Sequence, residues 1–201
     1  MTFAYKTLEN PIENTLIKEK GSKFLGFAYP VDNEEDIKNI LDKIRSDHPK
    51  ATHHCYAFRI GINGENYRAN DDGEPSGSAG LPIYNQLLAH EITNVLIIVV
   101  RYYGGTKLGV SGLVKTYKES AKITLEEANI IIKELETKIE IVFNFNQQNT
   151  IFTLLSKFDA KVLNFETNNN CTLTASLKMI QKENISEKLS DMQYITFNFT
   201  D

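Results

Sequence analysis

The chain of 201 residues carries 22 Lys and Arg against 26 Asp and Glu, a net charge of −4, and is 41% hydrophobic and 24% charged. That composition is globular rather than disordered or collagen-like, and it excludes a protein that coats nucleic acid by bulk charge, because a sequence-independent grip on phosphates needs a basic surface. Two cysteines, Cys55 and Cys171, are too few for a disulfide framework or a four-cysteine zinc site, so a reducing cytoplasm fits best. The start MTFAYKTLENP has no basic segment followed by an apolar one, and the longest aliphatic run, Val95 to Val100, is six residues where a spanning helix needs about 20. Neither an export signal nor a membrane span is expected.

In chain order, Thr15 to Lys20 and Phe24 to Val31 read as strands around the turn residues Gly21 and Ser22. The period then changes: Ile37, Ile40, Leu41 and Ile44 fall on one helical face, with Asn33 as cap, Glu34, Glu35 and Asp36 in the first turn and Pro49 beyond the end. From His53 to Ile60 alternation returns, with His54, Tyr56, Phe58 and Ile60 on one face and His53, Cys55, Ala57 and Arg59 on the other. Asn63-Gly64 predicts a hairpin turn into Glu65 to Ala69. After the loop Asn70 to Gly80 comes a short helix, Leu81 to Ala89, with Pro82 in its first turn. Asn94 to Val100 is apolar on both faces, as the centre of a covered sheet must be. The glycine loop Arg101 to Gly109 precedes an amphipathic helix carrying Leu113, Tyr117, Ala121 and Leu125, with Ser111 as its expected cap.

From residue 130 the pattern resets: a strand over Glu136 to Phe145, a helix with Ile151, Leu154, Leu155 and Phe158, and two strands about the turn Asn168 to Asn170. A helix with Ile185, Leu189 and Met192 and a last strand, Tyr194 to Thr200, complete it. This is β-α-β-β-α-β, the ferredoxin-like order. The expected organisation is therefore α+β, with domains at 1–130 and 131–201. Charge divides evenly between them, but Arg101, Lys107, Lys115, Lys118 and Lys122 face only Glu119 between residues 101 and 122.

The unusual clusters all lie in the first domain: Thr52-His53-His54-Cys55, the loop Asp71-Asp72-Gly73-Glu74-Pro75-Ser76-Gly77-Ser78-Ala79-Gly80, and Arg101-Tyr102-Tyr103-Gly104-Gly105-Thr106-Lys107-Leu108-Gly109. In this order and spacing the three blocks resemble the YigZ/IMPACT family, whose signatures are an A-T-H-x-C-like strand, D-D-G-E-P-x-G-x-A-G and R-Y-x-G-G-x-x-L-G. Ser78 stands where Thr is common, and Val110-Ser111 where smaller residues are usual. The resemblance spans the whole chain. It implies a first domain like ribosomal protein S5 domain 2 and a second similar to the fifth domain of elongation factor G. It also implies a link to translation: eukaryotic members compete for the activator of a starvation-responsive initiation-factor kinase, using in part an extra domain that is not expected in this chain.

The residues allow a physical reading beside the resemblance. Gly104, Gly105 and Gly109 before a helix either expose backbone N–H groups and the positive dipole end to an anion, with Lys107 adding charge, or simply make a tight connection needing positive φ. The spacing is not that of a nucleotide-binding P-loop. Lysine outnumbers arginine 18 to 4, yet Arg59, Arg68 and Arg101 lie in or between the motif blocks, where a planar fork suits phosphate. Arg59 alternatively pairs with Glu65 across the hairpin. Cys55 reads as a nucleophile with His53 as base, or as a buried small hydrophobe; Glu74, pinned between Gly73 and Pro75, is the best acid. Tyr102 and Tyr103 are stacking candidates, and Lys115, Lys118 and Lys122 form either a basic track with Arg101 or a solvated flank. The expected binding set is His53, Cys55, Asp72, Glu74, Ser76, Arg101, Tyr102, Gly104, Gly105, Lys107 and Gly109, with no metal and no cofactor. The leading reading is a cytoplasmic, non-enzymatic translation regulator binding RNA, a ribosomal element or a protein partner; the alternative, which needs the same anion-friendly loops, is an enzyme acting on a phosphate-bearing small molecule or nucleotide, with Glu74 or His53 as general acid or base.

Overall fold

The structure, a computed structural model, describes residues 2–200. The chain divides into two compact units, one comprising Ala4–Lys133 with Thr2, the other beginning at Glu134 and including Phe3.

In the first unit β2 (Ile12–Glu19), β3 (Ser22–Pro30), β4 (His53–Ile60), β5 (Asn66–Asn70) and β6 (Val95–Tyr102) form a sheet in the order β2-β3-β6-β4-β5. Each neighbouring pair is antiparallel. β6 is central, and Val95 to Arg101 are buried without interruption, because both faces are covered. On one face α2 (Gly80–Ala89) and α3 (Gly109–Glu126) pack Ile83, Leu87, Leu113 and Tyr117 against Cys55, Ala57, Ile97 and Val99. On the other, α1 (Glu34–Asp47) lays Ile37, Leu41 and Ile44 on Tyr56, Phe58, Leu96 and Ile98. α1 begins as its sequence requires: the Asn33 side chain accepts from the Asp36 N–H at 2.9 Å, and three acids occupy the first turn.

Register brings the motif blocks together. Arg101 on β6 lies opposite Phe24 on β3 and His53 on β4, one row of three side chains across adjacent strands on the face that carries α2 and α3. Two elements escape the pattern reading: β1 (Ala4–Leu8) and β7 (Ile130–Glu134), which pair with each other. Both are five residues long, and their partnership across the length of the unit leaves no local periodicity to detect. Ser111 does not cap α3; it is exposed within the first turn, and the flanking residue Leu108 has helical φ/ψ and supplies no side-chain bond.

In the second unit β8 (Glu136–Phe143), α4 (Gln148–Lys157), β9 (Lys161–Thr167), β10 (Cys171–Lys178), α5 (Lys182–Ser190) and β11 (Thr196–Thr200) follow in the expected β-α-β-β-α-β order. The sheet order is β11-β8-β10-β9, all pairs antiparallel. β8 alternates exposed and buried residues, and its inward Ile139, Ile141 and Phe143 close a core with Ile151, Leu155, Leu173 and Ile185.

Candidate functional site

The acidic loop between β5 and α2 is held almost entirely by its own carboxylates. Asp71 Oδ1 accepts from the N–H groups of Ala79 (2.9 Å) and Gly80 (2.8 Å), and Oδ2 from that of Gly77 (2.8 Å). The α2 N-terminus, which the glycine-rich sequence leaves without a local cap, is thus filled by an anion from nine residues upstream. Asp72, at φ +45°, accepts the His54 backbone N–H through Oδ2 at 2.6 Å and the His53 Nδ1–H through its carbonyl at 2.8 Å. Because that carbonyl can only accept, Nδ1 donates to it, which fixes the orientation of the His53 ring.

Glu74 turns inward beneath the loop. Its Oε1 accepts from Arg101 Nη1 at 2.5 Å and from the Tyr117 hydroxyl at 2.8 Å, and lies 3.9 Å from His53 Nε2. The Arg101 and Glu74 side chains are 6% and 4% exposed, so the pair is buried. Arg101 Nη2 reaches Ser22 Oγ at 3.5 Å, and its Nε, sealed from solvent, has no partner among the described residues. The guanidinium sits over Phe24 (5.4 Å) and Tyr103 (5.5 Å), while Tyr117 meets Phe24 edge-on at 5.2 Å.

The second glycine loop is built differently. Gly104 N–H donates to Ser22 Oγ at 3.1 Å, and a Cβ there would fall 1.9 Å from the Gly21 carbonyl carbon, so two turns approach backbone to backbone. Gly105 (φ +85°) and Gly109 (φ +74°) lead into α3, whose first turn holds no acid. Between the loops lies a cleft of about 520 Å³ lined by Thr52, His53, Glu74, Pro75, Arg101, Tyr103, Lys107, Leu108, Gly109, Val110 and Leu113. A larger cleft of about 710 Å³, elsewhere on the unit, contains a Lys6–Glu91 pair at 2.8 Å and none of the motif acids.

Of the expected binding residues, the fold gathers His53, Glu74, Arg101, Lys107 and Gly109 at this cleft. Gly104 and Gly105 shape the loop beside it, and Ser76 is exposed on the acidic loop. Asp72 serves the β4 backbone and lies 3.8 Å from Arg45. Two residues are displaced. Cys55 is fully buried, its thiol near the Asp71 carbonyl (3.0 Å) and the Tyr117 hydroxyl (3.3 Å), and burial pushes its pKa up, the reverse of what a nucleophile needs. Tyr102 faces the α1 side, its hydroxyl 2.9 Å from His48 Nδ1; strand alternation gives its place at the cleft to Tyr103.

The three arginines do not converge either. Arg59 donates to the Ile92 and Asn63 carbonyls, and Arg68 lines a cleft on the α1 face. Arg101 is buried and cannot belong to a surface track; Lys122 pairs with Glu126 at 3.4 Å, and Lys115 lines a small cleft with Lys20, Glu19 and Glu119. Sequence reasoning missed Tyr117, assigned to the core alone. It is core, and burial raises its phenol pKa, but a buried tyrosine hydroxyl requires a partner, and that was the available signal. Among the described residues no cluster of His, Cys, Asp and Glu suits a metal ion, and no helix is long and apolar enough to cross a membrane.

Fold and site define an α+β protein of two units, the first holding a cleft with a buried Arg–Glu pair in its wall and a helix N-terminus beside it. A profile of the Impact N-terminal domain matches residues 20–125. The Escherichia coli (strain K12) protein IMPACT family member YigZ is 32% identical over 180 residues, 88% of each chain. The Saccharomyces cerevisiae Protein IMPACT homolog is 34% identical over 98 residues, 46% of this chain and 37% of that protein. A solved structure described as a hypothetical protein superposes with a TM-score of 0.72 at 28% identity, covering 100% of this chain and 99% of the other. The chain belongs to the IMPACT family.

Proposed function

We propose that the protein is a cytoplasmic regulator linked to translation, which binds RNA of the translation machinery at the cleft beside the α3 N-terminus and does not turn it over. Family membership supports the link to translation. The observation that carries the binding reading is the division of labour among charges: Asp71, Asp72 and Glu74 are all engaged within the chain, whereas Lys107 lines the cleft without an ion pair among the described residues and the first turn of α3 beside it holds no acid. The likeness to ribosomal protein S5 domain 2 belongs to this reading, as does that to the fifth domain of elongation factor G, which the β-α-β-β-α-β order of the second unit supports.

The test is sedimentation with ribosomes across a salt series. Cosedimentation that weakens with salt, each phosphate contact adding about −0.7 to the logarithmic slope for single strands, is the expected result; a protein that stays at the top of the gradient at every salt concentration refutes it.

One observation favours a second reading. His53, oriented by the Asp72 carbonyl, sets Nε2 3.9 Å from Glu74 at the cleft, a pairing of the kind an enzyme on a phosphate-bearing small molecule or nucleotide would use for general acid or base work. A nucleotide that copurifies and is consumed would select it.

A further inference from the structure

α2 differs from the other helices of its unit in what it shows to solvent. α1 and α3 expose charged residues, among them Glu35, Lys38, Lys115 and Lys118, as surface helices do. α2, GLPIYNQLLA, has no charged residue, and its outward face consists of Leu81, Tyr84, Asn85, Leu88 and Ala89. Leu81 is 50% exposed and Leu88 44%. Tyr84 stacks on Tyr67 of the edge strand β5, ring centroids 5.1 Å apart, and Tyr67 is 60% exposed. Leu88 also lines, with Ile62 and Ile132, the cleft of about 710 Å³, so the stripe continues past the end of the helix. Single exposed apolar residues are ordinary, whereas a contiguous uncharged patch of leucine and tyrosine marks an interaction surface.

The charge pattern of the stripe fits its own copy. A surface that meets itself across a two-fold axis sets each side chain on the axis against its like, so a charge there is repelled. The middle of this stripe is Asn85, whose amide both donates and accepts and so hydrogen-bonds to an identical amide. Along an antiparallel pair of helices centred there, Leu81, four residues before Asn85, meets the partner's Ala89, four residues after it, large against small. We propose that the protein associates with a second copy of itself through α2, packed antiparallel on the partner's α2 with Asn85 at the two-fold axis and the Tyr67–Tyr84 pair at the flank. A helix of 10 residues is about 15 Å long, so the contact falls short of the roughly 800 Å² per partner of a stable complex and the dimer is of the weak, micromolar class. This face shares no residue with the cleft between the glycine loops.

The experiment is sedimentation velocity on the full chain from about 1 to about 300 μM, a range that brackets micromolar dissociation constants. The weight-average mass is expected to rise from one chain toward two. Leu88→Lys, at an exposed position, removes a leucine from each side of the contact and is expected to weaken association about thirtyfold with the melting temperature unchanged. Asn85→Asp and Asn85→Lys each set like charges across the axis and are expected to be monomeric over this range, whereas their equimolar mixture restores the dimer. That rescue requires the position to face itself, which a contact through another surface does not provide. A chain that stays monomeric at every concentration overturns the proposal and leaves the face to a different protein. A dimer indifferent to Leu88→Lys and Asn85→Asp overturns the α2 contact, and a dimer broken by both Asn85 variants but not restored by mixing them overturns the two-fold arrangement.

Discussion

Two glycine-rich loops of the first unit each run into the start of a helix, and neither helix has a conventional side-chain cap. At α2 the emptiness is only local: Asp71 folds back onto three N–H groups, Asp72 ties the loop to β4, and Glu74 anchors it to Arg101. At α3 the loop is held by backbone approach at Gly21 and Gly104, and its N-terminal groups are left to the cleft. The same composition thus serves two ends. A loop that contains acids neutralises its own helix dipole, and one that contains Lys107 in their place leaves the dipole for something else. Glycine content alone does not mark an anion site; what matters is whether the chain supplies its own anion.

Removing the anchor of the filled loop has the largest expected effect. Arg101→Leu leaves the Glu74 charge buried without its partner and lowers stability by about 3–5 kcal/mol, read from denaturant midpoints. A loss below about 1 kcal/mol would mean that the pair contributes to binding rather than to folding, and would erase the contrast between the loops. Next, Asp71→Ala leaves the N–H groups of Gly77 in the loop and of Ala79 and Gly80 at α2 without their acceptor and costs about 2–3 kcal/mol, while Asp71→Asn, which keeps one acceptor, recovers part of the loss. Equal stability of Asp71→Ala and the parent would show that water caps α2 as well as the carboxylate does.

The smallest effect is pH dependence. Burial lowers the His54 pKa below the ordinary histidine value, and Asp72, 3.8 Å away, only partly offsets it. A histidine depressed in the folded state is protonated first in the unfolded chain. Its contribution is therefore complete above about pH 6.5 and declines as pH falls through that value toward the folded pKa. His54→Phe should flatten this limb of the stability profile between about pH 7 and about pH 5 relative to the parent. Parallel profiles would show that Asp72 holds the backbone of β4 and leaves the ring indifferent to charge.

The sequence by itself determined the elements whose evidence is local. Period and capping located α1, alternation located β4 with the correct residues on each face, and the apolar run marked β6 as the centre of its sheet. Of the residues in the three motif blocks, His53, Glu74, Arg101, Lys107 and Gly109 meet at one cleft. What tertiary structure alone decided is the state of each group there. Tyr102 and Tyr103 are adjacent in sequence but on opposite faces, and only the register of β6 decides which one meets the cleft. Cys55 reads identically as nucleophile or core until its burial beneath Asp71 and Tyr117 is seen. Arg101 reads as a phosphate fork until Glu74, 27 residues earlier, is found bonded to it. β1 and β7, joined across the length of the unit, have no signature at all. Periodicity records which side of an element is buried; a charge's partner depends on which distant segment the fold brings to it, and the energy of a buried charge is set by that partner.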